Sequence, residues 1–174
     1  MPAVPFETLP ASARVWVFAS DQPLAGEQAE LLLGTVDEYL NEWRAHGQPL
    51  TCARAWREGR FLAIGVDQTD AYASGCSIDG LFRTLQQLQR QLGASLVGGG
   101  RVYYRDETGA VRSVARDAFA QLAESGAVTG ATRVFDPTVA TVGEWAERFE
   151  TDAAASWHAA LIPEARLTEA RVTR

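Results

Sequence analysis

The run SGCSID at 74–79 sets a thiol, two hydroxyls and a carboxylate where a helical pattern begins. Ile78, Leu81, Leu85, Leu88 and Leu92 recur at helical spacing, Phe82 lies beside them, and Gly93 closes the run. This spacing predicts a helix over about 77–92, with Ser77 as N-cap and Cys76 at its mouth. Unpaired backbone N–H groups at such a mouth favour an anion, whether a thiolate or a bound phosphate or carboxylate. A cysteine there can ionise well below the reference value of about 8.5. His46 is a candidate base for the thiol, and Asp67 or Asp79 could orient its imidazole. The candidate catalytic trio is therefore Cys76, His46 and Asp67, with Ser74, Gly75, Ser77, Asp79 and Arg105 as candidate ligand-binding residues.

Each of these residues also has a plainer role. Small residues ahead of a helix serve capping and tight turns, and Asp79 suits the helix dipole unaided. Buried cysteines are commonly inert, and a histidine near a helix C-terminus makes a favourable cation–dipole contact. A metal set of Cys52, Cys76 and His46, completed by Asp67 or water, lacks the short C-x-x-C or H-x-x-x-H spacing of zinc sites. No metal or cofactor is assigned. His158 reads as an interfacial residue beside Trp157, and the five tryptophans read as core and tail-docking residues. The glycines 98–100 precede a strand rather than a helix, so they lack phosphate-loop context.

The elements that must position the trio follow from periodicity. RVWVFAS (14–20) is a strand, and Leu32, Leu33, Val36, Leu40 and Trp43 mark a helix over roughly 26–45, stopped by Gly47 and Pro49. LTCARAW (50–56) and RFLAIGVD (60–67) form a hairpin around REGR. RVYYRD (101–106) and AVRSV (110–114) form another, followed by a short helix near 116–125. Thr141 and Glu144 match a capping box. The order to residue 106 is β-α-β-β-α-β. An α+β, ferredoxin-like sheet is expected, extended by a fifth strand and followed by a helical C-terminal tail. The expected division is a core at 1–126 and an extension at 127–174. In that topology His46, Cys52, Asp67, Cys76, Ser77, Asp79, Arg105 and Arg14 fall near one end of the sheet.

Composition narrows the chemistry. The 174 residues suffice for one domain with an appendage, and the net charge is −6. All 16 basic residues are arginine. The absence of lysine excludes a Schiff-base lysine, a lysine general base and a P-loop lysine. No basic stretch is interleaved with aromatics, so nucleic acid is not an expected partner. No apolar run approaches the roughly 20 residues that span a bilayer, and MPAVPFETLP has no signal-peptide pattern, so a cytoplasmic location is expected. Cys52 and Cys76 are then expected as free thiols.

RVWVFAS, EYLNEWRAHGQPL, RFLAIGVDQTDAYASGCSID, FDPTVATVGEW and SWH occur in that order, and W-x-x-H-G and S-G-C-S-I-D are the most specific marks. In these the chain resembles a family of small bacterial proteins, chiefly from Bacteroidetes and relatives, over most of its length. Members often carry the automatic name "ABC transporter ATPase". No G-x-x-x-x-G-K-[ST] and no LSGGQ-like signature occurs here, so the resemblance brings no ATPase machinery and no active site with it. Two functions are expected. One is a cytoplasmic protein with a small-molecule or anion pocket around Cys76 and His46 that could use thiol chemistry. The alternative is a non-catalytic interaction domain whose tail mediates self-association, and a homodimer suits either.

Overall fold

The computed structural model describes residues 4–45, 47–69 and 75–169, with the side chains of residues 45 and 75–77 outside that description. A single 3-10 turn (Phe6–Thr8) leads into β1 (Arg14–Ala19), α1 (Glu27–Glu42), β2 (Arg44–Ala45) and β3 (Gln48–Pro49). Then come β4 (Thr51–Arg57), β5 (Phe61–Asp67), α2 (Gly75–Leu92), β6 (Arg101–Arg105), β7 (Val111–Ala115) and α3 (Arg116–Glu124). The chain continues through β8 (Arg133–Phe135), α4 (Val142–Arg148), β9 (Glu150–Asp152), two further 3-10 turns and α5 (Glu164–Leu167). The protein is α+β, with antiparallel sheets. It divides into two units, 1–98 with 137–146 and 99–136 with 147–174.

In the first unit the strand order is β1-β5-β4, antiparallel throughout. β5 is central, and its run Phe61–Val66 is wholly buried because both of its faces are covered. One face packs against the apolar stripes of the two helices, Leu32, Val36 and Leu40 of α1 with Leu81, Leu85, Leu88 and Leu92 of α2. Lead-in residues lie on the other face. A Cβ at Gly65 would come within 2.5 Å of Leu9 Cδ1 and 3.1 Å of Phe6, so only glycine lets that segment lie flat on the sheet. Trp145 meets Phe6 edge-on at 6.2 Å. The expected β4–β5 hairpin is present, and both of its central residues have positive φ, Glu58 at 57° and Gly59 at 60°, as a type I′ turn requires. The first helix is shorter than its periodicity suggested. Trp43 turns extended and its carbonyl accepts from Leu50 N at 3.1 Å, which closes the β2–β3 hairpin.

The ferredoxin-like expectation required the strand at 101–106 to pair beside the first strand. Residues 139–142 occupy that edge instead. Val15 N donates to Ala140 O at 2.8 Å, Val142 N donates to Ala13 O at 2.9 Å, and Arg14 bridges to Thr141. Just beyond, Glu144 N donates to the Thr141 hydroxyl while the Glu144 carboxylate accepts from Ala140 N, so the capping-box residues cap α4.

β6 pairs within the second unit, in the order β7-β6-β8-β9. Residues 127–174, expected as a helical extension, thus supply two of that sheet's four strands. Phe119 and Ala123 of α3 bury against Val102, Val134, Val128, Ala153 and Ile162. No helix among the described residues is long and apolar enough to cross a membrane.

Candidate functional site

Strand register sets one end of the first unit's sheet. Arg14 and Cys52 both stand opposite Val66, and Thr51 stands opposite Asp67, so the expected residues 14, 52 and 67 share that end, with Thr51 beside them. His46 and Ser74 lie outside the described residues, so their relation to Asp67 is not described. Asp67 is half-buried, and its Oδ1 accepts from Thr69 N at 3.0 Å and Thr69 Oγ1 at 2.6 Å. One carboxylate oxygen is thereby committed to a local turn rather than to orienting a ring.

α2 begins at Gly75, two residues before the expected start. Cys76 and Ser77 therefore lie in the first helical turn, and Ser77 is not the N-cap. That turn carries no acidic residue, so no carboxylate there offsets the positive end of the helix dipole. Asp79 is exposed one position farther on. Its carbonyl accepts from Arg83 Nε at 3.3 Å.

Cys52 is a different thiol. It is buried among the helices and its Sγ donates to Leu40 O at 3.5 Å. Burial pushes it up to about 11, which leaves almost no thiolate at neutral pH. Neither nucleophile nor ligand chemistry suits it there.

Arg105 is on a different sheet from this group. Its placement rested on a shared sheet, and it belongs to β6 of the second unit. There its Nε and one terminal nitrogen reach the Glu150 carboxylate at 2.6 and 3.2 Å, and its other terminal nitrogen donates to Gly109 O at 3.0 Å. The guanidinium also lies 5.1 Å over the Phe135 ring. That set of contacts locks the β6–β9 side of the sheet and explains the arginine without a ligand.

Sequence reasoning overlooked Trp43. It is 4% exposed, and its indole Nε1 is a buried donor with no hydrogen-bond partner. The ring meets Trp16 at 6.5 Å and Tyr39 at 5.7 Å. Tyr39 in turn reaches α2, because a Cβ at Gly80 would fall 2.6 Å from its hydroxyl. An aromatic chain thus runs from β1 to the second turn of α2. A tryptophan on the apolar stripe of a helix gives no hint in sequence that its N–H will lack a partner.

An open groove of about 440 Å³ lies on α1 and α2 beside Tyr39, lined also by Thr35, Glu38, Asn41, Glu42 and Thr84. Its two carboxylates disfavour an anion. In the second unit a groove of about 380 Å³ is bordered by Asp152, Leu167 and Glu169. No group of three or more His, Cys, Asp or Glu side chains among the described residues is placed to hold a metal ion. Comparisons with protein-family models, with curated proteins and with solved structures give no match.

Proposed function

We propose that the first unit binds a small anionic molecule at the N-terminal end of α2, with the Cys76 thiolate held in the same turn. One observation carries the reading. An 18-residue helix starts at Gly75 with no acid in its first turn, and Cys76 is its second residue. A helix N-terminus with no acid in its first turn favours a thiolate or a bound carboxylate or phosphate by about 0.3–1 kcal/mol in exposed settings, and more when partly buried. Cys52 is too deeply buried to supply the chemistry, which leaves Cys76 as the reactive thiol, with His46 as its base and Asp67 as a shaping residue. The S-G-C-S-I-D run that carries the family resemblance is this same stretch.

The order β1-α1-β4-β5-α2, with strands ordered β1-β5-β4, supports a ferredoxin-like reading of the first unit without its last strand. We read the first unit as related to that architecture, and the protein as cytoplasmic and able to form a homodimer. The interaction-domain alternative draws on a tail rich in aromatics. Those groups are already used, Trp145 against Phe6 and Trp157 against His158.

The test is titration of the purified full-length chain with inorganic phosphate, read as the rate of Cys76 alkylation. Millimolar phosphate should slow that rate, and sulfate should act alike. A rate indifferent to both anions would sink the anion site, whatever the thiol's intrinsic reactivity.

A further inference from the structure

The second unit holds a histidine that the proposed site does not use. His158 is 0% exposed, within the 3-10 turn Trp157–Leu161. Its Nδ1 lies 2.7 Å from the Ser156 hydroxyl, which also accepts from His158 N at 3.3 Å and donates to Ala153 O at 3.4 Å. Its Nε2 is buried with no partner. Trp157 stacks on the imidazole at 3.8 Å, and Phe119 of α3 meets it edge-on at 6.1 Å.

Either tautomer leaves Nε2 unpaired. A protonated ring would carry an N–H there and a full charge, both facing apolar groups. Two charged groups bear on it. Asp136, just beyond β8, favours the cation, and its carboxylate also accepts from Trp157 Nε1 at 3.1 Å. Arg116, opening α3, opposes it and lies 4.8 Å over the Trp157 ring. Tyr104 of β6 packs on the Phe119 ring at 5.6 Å.

We propose that His158 is an acid-responsive clasp, holding the Trp157–Leu161 turn against α3 while neutral and releasing that turn once protonated. Burial is the main cause that depresses the ring to about 4, with the Asp136 attraction partly offsetting it and Arg116 adding to it. In the released turn the ring regains its ordinary value of about 6.5. Opening therefore costs most above pH 6.5 and becomes easier as pH falls toward 4. Relative to pH 7, the population of the released form should rise about 20-fold at pH 5, and on the order of 100-fold at pH 4.

Amide exchange in residues 150–162 of the full chain measures this, after correction for the intrinsic pH dependence of exchange. Protection there should fall by those factors between pH 7 and pH 4, and His158→Gln should flatten the dependence. An equal pH response in His158→Gln would overturn the clasp. Should that variant fail to fold, the wild-type ring can be followed by NMR, told apart from His46 with His46→Gln. A titration midpoint near 4 supports the proposal. A midpoint near 6.5 with the turn still protected overturns it.

Discussion

Alkylation of the two cysteines separates the chemistry assigned to the α2 terminus from simple packing. A thiol with a value near 11, as burial gives Cys52, is about 0.01% ionised at pH 7. A free thiol near 8.5 is about 3% ionised. Ionisation alone then slows Cys52 by about 300-fold, before its 1% exposure is counted. Cys76, in the first turn of α2, should react at or above the free-thiol rate and titrate below 8.5. Native protein at pH 7 should therefore show one fast and one very slow phase with iodoacetamide. Because the chain lacks lysine, trypsin cuts only after arginine, and the two thiols fall in separate peptides, 45–54 and 61–83. Mass spectrometry can follow each directly. Cys76→Ser should abolish the fast phase, and Cys52→Ser should leave it intact. His46→Ala should slow it if the imidazole stabilises the thiolate. Comparable rates for both thiols in folded protein would refute the burial argument for Cys52. Two slow phases that merge only on unfolding would make SGCSID a structural turn.

Further expectations concern stability and turnover. Cys52 ionises more readily unfolded than folded, so its contribution is complete below about pH 9 and lost as pH rises through 11, at most about 3 kcal/mol. Chemical denaturation from pH 8 to 11 should show that loss, and Cys52→Ala should remove most of it. Gly130→Ala would bring a Cβ within 1.9 Å of Leu167 O, so residues 163–169 must lift and the Gly130 N to Arg166 O bond at 2.9 Å must break. A cost of about 1–3 kcal/mol is expected by thermal melting, and an unchanged midpoint would contradict the close approach. Purified protein should hydrolyse no ATP, since it has neither lysine nor phosphate loop. Turnover that co-purifies with the chain and vanishes on mutating one of its residues would overturn that.

Periodicity revealed the elements better than their partners. The helical stripes of α1 and α2 and the three hairpins β4–β5, β6–β7 and β2–β3 differ in how they announce themselves. Leu32, Val36 and Leu40, or Leu81, Leu85 and Leu88, repeat on one face whatever packs there. The β2–β3 hairpin pairs two residues per strand, too few for a pattern, so β2 fell within the expected helix and β3 beside its stop. Sheet assignment failed for a different reason. Val102, Tyr103 and Tyr104 read as strand, but a strand's alternation does not say which edge it joins. The edge of β1 went to residues 139–142, which make only an isolated bridge and have no strand signature. A cue did exist, because the boundary between the units falls between Gly98 and Gly99, inside the triple glycine.

The same limit governs the sites. A helix start is a local property, legible from spacing and small residues, so the α2 terminus was located to within two residues. What completes a site is tertiary. Trp43 and His158 both sit on apolar patterns, where an indole or imidazole looks like one more ring to bury. Only the packed structure shows that each was buried with a nitrogen unpaired, Trp43 Nε1 in one unit and His158 Nε2 in the other. Leaving a buried polar atom unsatisfied costs about 1–3 kcal/mol, which packing elsewhere must offset. Arg105 shows the converse. As a basic residue at a strand end it looked free to bind a ligand, yet Glu150, 45 residues away in sequence, already fills that role. The polar groups that merit the first mutations are therefore those the fold leaves without partners, and the aligned charges that sequence singles out come second.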